Sequence, residues 1–409
     1  MTTAMGTGHD PAAGDRIVVV GASVAGVRAV QSLRARGCSD EIVLLDREAA
    51  PPYDKPALSK DLLTGGLDEP VVLASPAQLR QLAVDYRPGC EAVGLDLARR
   101  HVGLRGGASV PFGRLIIATG SRPVRLPGLE GVQGVHYLRT RADAVALRAA
   151  FADRPRVAVV GGGFIGGEVA SSARRLGLEV TVVEAAERIL ARLMPPEVSE
   201  AVLRLHHDHG VEVRCGHAVR GHLGGGRVEA LELDDGSVVP ADVVVVGIGT
   251  VPDTAWLAGS GLDIADGVRC GPDLAAEGAD GVYVAGDAAR WGNDRLGGHE
   301  RVEHWTAACE QAAVVARNLT EPGSSVPYVC DGYVWSDQHG VRIQHIGRSA
   351  PGLRVEAVPG SDGNGMLYRY LDGEGAAGAT AVGAARDFLA LRRGLAARQR
   401  DASEAVRTR

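Results

Sequence analysis

Two stretches of this chain follow the same narrow pattern, and the pattern leaves few folds open. Residues 16–46 run from the apolar segment Ile17–Val20 into a glycine turn, Gly21 to Gly26, then a helical segment, then a second apolar strand ending on Asp46. Residues 156–184 repeat the plan: an apolar strand, the turn Gly161 to Gly166, a helical segment, and a strand ending on Glu184. The two carboxylates fall 25 residues after Gly21 and 23 after Gly161. An unbroken apolar run suits a parallel strand covered on both faces. In a G-x-G-x-x-G turn the first glycine permits the tight turn and the second lets backbone approach a diphosphate. The third lets helix pack on strand, and the helix amino end favours negative charge. One such turn is a weak signal. Two, each between strand and helix with an acid at the right distance, predict an α/β chain with two dinucleotide-binding sites.

The two turns differ. The first reads Gly21, Ser23, Gly26, with serine at the second glycine position, Ala25 beside the third, and Asp46 placed to hold an adenosine ribose. The second is complete, with Gly161, Gly163 and Gly166 around Phe164 and Ile165. Glu184 is followed by Ala185 and Ala186, with Arg188 the nearest cation. A carboxylate there accepts from a free 2′-hydroxyl and repels a 2′-phosphate, so NADH is expected in preference to NADPH.

Composition narrows the field. A net charge of −6 gives no electrostatic reason to expect nucleic acid, and no apolar run is long enough to span a bilayer. The polar residues 1–15 read as a loose tail and not a signal peptide, which points to the cytoplasm. Six cysteines (38, 90, 215, 270, 309 and 330) are scattered, without Cys-x-x-Cys or other metal spacing, so neither a metal nor a local redox disulfide is expected. The run His206, His207, Asp208, His209 reads as a solvated helix end, with 206 and 209 the only pair able to share a face. Of 44 basic residues only Lys55 and Lys60 are lysines. In an arginine-rich chain these two invite a specific role, because the two side chains differ in shape and donor geometry.

Further apolar strands are expected at 115–117, 243–246 and 282–284, and beyond about residue 325 short β-type runs precede a final amphipathic helix. The expected division is a tail (1–15), a first dinucleotide domain (16–122 and 246–324), a second inserted into it (123–245), and a small α+β domain (325–409).

The motifs PPYDKPALSK (51–60), IIATGSRP (116–123), GGGFIGGE (161–168), YVAGDAA (283–289), RVEHW (301–305) and YVWSDQHG (333–340) together resemble a known family. It comprises the FAD-dependent, NADH-using ferredoxin reductases that serve cytochromes P450 and aromatic-ring dioxygenases, the putidaredoxin reductase and biphenyl dioxygenase reductase type. Rubredoxin reductases and apoptosis-inducing factor are relatives. The resemblance spans about residues 16–395 and implies a glutathione-reductase-like fold.

It implies FAD in the first unit and NADH in the second, with hydride passing to FAD and single electrons leaving for a ferredoxin-type iron–sulfur protein that feeds an oxygenase. It implies that Gly21, Ser23, Ala25, Gly26, Asp46, Arg47, Lys55, Pro56, Lys60 and Val93 belong to the FAD site. Ala118, Thr119, Gly120, Arg122, Gly286, Asp287, Glu303, His304, Trp305 and Trp335 join them. Lys55 would lie near the diphosphate, Asp287 at a ribityl hydroxyl, and Trp305 with Trp335 at the flavin edge. Gly161, Gly163, Phe164, Ile165, Gly166, Glu184 and Gly249 belong to the NAD site. Lys60, from the first domain, and Glu168, from the second, would form an ion pair beside flavin N5. Departures from the family are Ser23, Lys55, Ala57 and Cys309. An arginine face around Arg295, Arg301, Arg342 and Arg348 would suit an acidic ferredoxin, and a monomer or homodimer is expected. A disulfide reductase of the same fold needs a cysteine in a flavin-facing motif, which this chain lacks. A flavoprotein that signals by changing shape when NADH binds, and an NAD-binding regulator without flavin, stay open as rival functions.

Overall fold

The computed structural model describes residues 14–293, 298–350, 352–361, 363–373 and 375–395; the expected tail over 1–13 and the C-terminal charged tail lie outside them. The chain divides into two compact units. The first comprises residues up to Asp54, Val71–Arg122 and Thr250–Cys330; the second comprises Lys55–Pro70, Pro123–Gly249 and residues from Asp331 onward.

The first unit is built on a five-stranded parallel sheet in the order Val282–Val284, Arg114–Ile117, Ile17–Val20, Ile42–Leu45, Val84–Arg87. Every residue of Ile17–Val20 and Ile42–Leu45 is buried, as their unbroken apolar runs require. Each such side chain contributes roughly 1.5–3 kcal/mol on leaving water. The helices Val24–Ala35 and Trp305–Thr320 pack on one another, and a three-stranded antiparallel sheet (Ala92–Asp96, His101–Leu104, Ser109–Pro111) completes the unit.

The second unit carries the same kind of sheet, in the order Val135–Tyr137, Val243–Val246, Arg156–Val160, Glu179–Glu184, Glu212–Cys215, all parallel. In both sheets the strand that enters the glycine turn sits at the centre, with the acid-ended strand beside it. The helix Phe164–Arg175 follows the turn. A five-stranded antiparallel sheet, in the order Val334–Gln338, Val341–Gly347, Gly375–Val382, Met366–Asp372, Arg354–Pro359, packs on the Phe164–Arg175 and Pro196–Asp208 helices. Residues 385–395 are helical, as the terminal amphipathic pattern predicted.

The unit boundaries fall at 54/55, 70/71, 122/123, 249/250 and 330/331. Two differences are substantive. The antiparallel C-terminal sheet does not stand apart but joins the second unit through those two helices. Lys55–Pro70, expected in the first domain, also belongs to the second, because the short helix Asp61–Thr64 packs on the Arg141–Phe151 and Phe164–Arg175 helices. Among the described residues no helix is long and apolar enough to cross a membrane.

Two glycine turns and a buried ion pair

In the first unit Gly21 has φ +103°, and its amide donates to Leu45 O at 2.8 Å. A Cβ there would lie 2.3 Å from Ala118 O, and one on Gly26 would lie 1.9 Å from Gly21 O. These glycines are required by the chain's own packing. Ser23 lies between them at the amino end of the Val24–Ala35 helix, in extended backbone (φ −88°), and its hydroxyl makes no capping bond. The second unit repeats this closely. Gly161 has φ +109° and donates to Val183 O at 2.8 Å; a Cβ there would approach Gly247 O to 2.4 Å, and one on Gly166 would approach Gly161 O to 1.9 Å.

Gly163 is different. Its φ of −82° is open to any residue, and a Cβ would meet nothing within 4 Å. Neither backbone conformation nor packing demands a glycine at 163, so bare backbone is presented outward at a helix amino end. That is the surface a dinucleotide diphosphate fits, and the residues present in both turns suit such a ligand.

The acids behave differently too. Glu184 reaches back to the second turn, Oε2 accepting from the Gly162 amide at 2.6 Å and Oε1 from the Ala186 amide at 2.8 Å. Asp46 accepts from the Glu48 amide at 3.4 Å. Near Glu184, Arg188 Nε is buried without a partner, Ile165 is 47% exposed at the helix start, and Phe164 is half-buried. Arg192 approaches Gly249, which has φ +114°.

The remaining expected FAD groups are spread through the first unit. Ala25 is buried against Gly286. Asp287 accepts from Ser121 Oγ at 2.7 Å, and Thr119 donates to Asp253 O at 2.9 Å. Arg47 forms an ion pair with Asp253. Trp305 Nε1 donates to Asp54 at 2.8 Å, His304 caps the Trp305–Thr320 helix, and Glu303 pairs with Arg301 and accepts from Thr250. Ala118 is buried, Gly120 is half-buried, and Arg122 and Val93 are exposed. Lys55, Pro56, Lys60 and Trp335 lie in the second unit instead. Lys55 Nζ points to Arg139 O at 3.5 Å, and the Trp335 ring stacks beside Tyr333.

Lys60 and Glu168 do pair, at 2.7 Å, with side chains 20% and 5% exposed. The pair lies within one unit, not across two domains, because Lys60 precedes the short helix that packs on the Phe164–Arg175 helix. The carboxylate is fully engaged. Oε2 also accepts from Ser59 Oγ, and Oε1 accepts from Ser336 Oγ at 2.7 Å and from the Asp337 amide at 3.4 Å. Ser59 and Ser336 were not foreseen from sequence, since neither bears a motif-like spacing to Glu168.

The histidine cluster differs from the expected solvated helix end at one ring. His207, Asp208 and His209 are exposed, but His206 is only 3% exposed, because its helix packs on the C-terminal sheet. Its Nε2 faces Gln338 Oε1 and its Nδ1 faces His339 Nε2, both at 3.0 Å, while His209 stacks on His339. Burial, then neighbouring histidines, pushes His206 down to about 4; burial, His206, His209 and Arg174 push His339 down to about 3.

The arginine face changes as well. Arg301 is paired with Asp266 and Glu303, and Arg342 with Asp337, so neither is an unneutralised cation; Arg348 is exposed, and Arg295 lies outside the described residues. Among the described residues His217, Asp234 and Asp235 are the one group able to bring three potential metal-ligand atoms within 4.8 Å. None of the six cysteines is joined in a disulfide.

Residues 15–312 match the pyridine nucleotide-disulphide oxidoreductase family, and residues 333–408 match the reductase C-terminal family. The chain is 39% identical, over 94% of its own length and 94% of the relative's, to the anthranilate 1,2-dioxygenase system ferredoxin–NAD(+) reductase component of Burkholderia cepacia. It is 35% identical, over 91% of each chain, to the biphenyl dioxygenase system ferredoxin–NAD(+) reductase component of Paraburkholderia xenovorans strain LB400. A solved ferredoxin reductase for the CYP199A2 system from Rhodopseudomonas palustris superposes with a TM-score of 0.87 at 31% identity, covering 92% of this chain and 93% of that one. The reductase of the covalent putidaredoxin reductase–putidaredoxin complex gives a TM-score of 0.87 at 30% identity, covering 93% of each.

Proposed function

The chain belongs to the pyridine nucleotide-disulphide oxidoreductase family, and from that premise we propose that it is an FAD-dependent NADH:ferredoxin reductase of the cytoplasm. Its electron acceptor is a small ferredoxin-type iron–sulfur protein, which supplies a cytochrome P450 or ring-hydroxylating oxygenase. FAD, when bound, supplies the hydride-accepting and one-electron-donating chemistry. The chain's own residues bind, orient and tune. The first turn, with Gly21, Ser23, Gly26 and Asp46, holds the FAD diphosphate and ribose. The second, with Gly161, Gly163, Gly166 and Glu184, holds NADH.

One observation carries this reading: the half-buried glycine at 163, which neither backbone conformation nor packing requires, within a turn whose other glycines are fixed by packing. The scattered spacing of the cysteines, with no Cys-x-x-Cys pair in the sequence, supports an outlet other than dithiol exchange. Glu184 supports a preference for NADH, because a 2′-phosphate placed beside it would meet a carboxylate already fixed by two amides. NADPH is therefore expected to be the poorer donor by about tenfold or more in kcat/KM.

The Lys60–Glu168 pair holds a cation in a defined place for the flavin, and Lys60→Met is expected to slow NADH-driven flavin reduction. The direct test of the whole reading is NADH-driven cytochrome c reduction by the yellow holoprotein with and without a ferredoxin. Activity that appears only with the iron–sulfur protein supports it; equal activity in its absence, or with a rubredoxin alone, overturns it.

A further inference from the structure

We propose that Gln338, backed by Ser336 and the His206–His339 pair, is a positioning residue that fixes the orientation of the Glu168 carboxylate; this deepens, and rests on, the role given to the Lys60–Glu168 pair. The side chains form one continuous chain inside the second unit. His339 Nε2 lies 3.0 Å from His206 Nδ1, and His206 Nε2 lies 3.0 Å from Gln338 Oε1. Gln338 Nε2 lies 3.0 Å from Ser336 Oγ, which lies 2.7 Å from Glu168 Oε1.

One charge sets every donor in this chain. A carboxylate only accepts, so the Ser336 hydroxyl must donate to Glu168. Its oxygen is then the acceptor for the Gln338 amide N–H, which turns the Gln338 carbonyl toward His206. His206 must therefore carry its ring proton on Nε2, leaving Nδ1 to accept from His339 Nε2–H. Both imidazoles are neutral in this arrangement, as their lowered pKa values require near neutrality. All four donors point toward Glu168, so removing any one leaves a buried polar atom unmatched next to the ion pair.

Packing gives Gln338 no other place. A Cβ on Gly167 would fall 2.6 Å from its Oε1 and 2.7 Å from its Nε2, so the amide lies flat against the bare helix backbone one residue from Glu168. This accounts for the glycine that follows the dinucleotide turn proper. A cavity of about 10 Å³, the size of one water, is lined by Gly162, Gly163, Gly167, His206 and Gln338. The chain thus lines the same small cavity as Gly162 and Gly163 of the turn assigned to NADH, and the Gln338 amide lies against Gly167 and bonds the carboxylate's anchor, Ser336.

The test uses the holoprotein and four variants. Gln338→Met keeps the volume and removes both bonds; His206→Phe removes the donor behind it; His206→Gln returns an N–H near the position of Nε2. The expected result in anaerobic rapid mixing is a limiting rate of flavin reduction lowered about tenfold in Gln338→Met and His206→Phe, one buried hydrogen bond's worth. Half-saturating NADH should stay unchanged, and His206→Gln should restore most of the rate. Nitrogen-15 NMR of the wild-type rings should show His206 protonated on Nε2. A merely structural role would lower thermal stability while leaving the rate intact, or leave His206→Gln as slow as His206→Phe; either result overturns the proposal, as does a His206 ring protonated on Nδ1. Lys60→Met separates the two levels. If it slows reduction while Gln338→Met does not, only the positioning role fails; if Lys60→Met itself leaves the rate unchanged, the reading of the ion pair fails first.

Discussion

The two glycine turns are nearly superimposable in their internal distances, yet only one has a glycine at its middle position. Gly21 and Gly161 share a left-handed conformation and the same amide bond to the neighbouring strand, and Gly26 and Gly166 press against the turn carbonyl equally closely. Ser23 and Gly163 occupy the same extended helix-start geometry, but one carries a side chain and the other carries none. The comparison separates two reasons for glycine that the motif alone confounds. The outer positions serve the fold; the middle one is not required by it, and on the proposed function it serves the ligand and can change when the ligand tolerates a hydroxyl.

The sharpest way to break this comparison is at an outer glycine. Gly166→Ala or Gly26→Ala would force a methyl within 1.9 Å of a carbonyl, and each should cost about 4 kcal/mol or more. Little folded protein would then be recovered in a denaturant titration of the purified variant. A stability near wild type would remove the distinction.

Acid should separate the two units next. His206 and His339, both in the second, keep lowered pKa values when folded, whereas an unfolded histidine titrates near its ordinary 6.5. The unfolded chain therefore binds more protons below that value. Stability is intact above about pH 6.5, is lost as pH falls toward 4, and for His206 alone the loss is on the order of 3 kcal/mol. Hydrogen exchange at pH 5 should show the Pro196–Asp208 helix and the 334–347 strands loosening before the sheet of the first unit, and His206→Gln should flatten the slope. Uniform loosening would contradict this account.

Smaller effects test the middle positions. Gly163→Ala should leave stability within about 0.5 kcal/mol while raising the NADH concentration for half-saturation about tenfold, as read by anaerobic titration. Ser23→Gly should change FAD retention least of all, by less than about 1 kcal/mol, measured by flavin release during dialysis.

Much of the fold was legible because it is written locally. A glycine turn, four apolar residues before it and an acid after the next strand lie within 31 residues in the first copy and 29 in the second, and each spacing reflects a steric or hydrogen-bond requirement. The Lys60–Glu168 contact, 108 positions apart in the sequence, was anticipated only through resemblance. Its hydroxyl anchors were not: Ser59 and Ser336 lie 109 and 168 residues from Glu168, and a serine in a strand or loop carries no local mark of what it will face. His206 misled for the same reason. Its neighbours are solvated, and only the C-terminal sheet packed against its helix decides that this one ring is buried. Lys55–Pro70 likewise reads as part of the first domain until its short helix finds partners beyond residue 140.

The most direct test of the central claim, that the first turn holds FAD and the second NADH, is an anaerobic NADH titration of wild-type and Gly163→Ala holoprotein, followed at the flavin band. Both proteins should carry a full complement of FAD and both should bleach, the variant needing about ten times more NADH. A wild-type protein that stays yellow, or a variant that sheds its flavin while binding NADH as before, would contradict it.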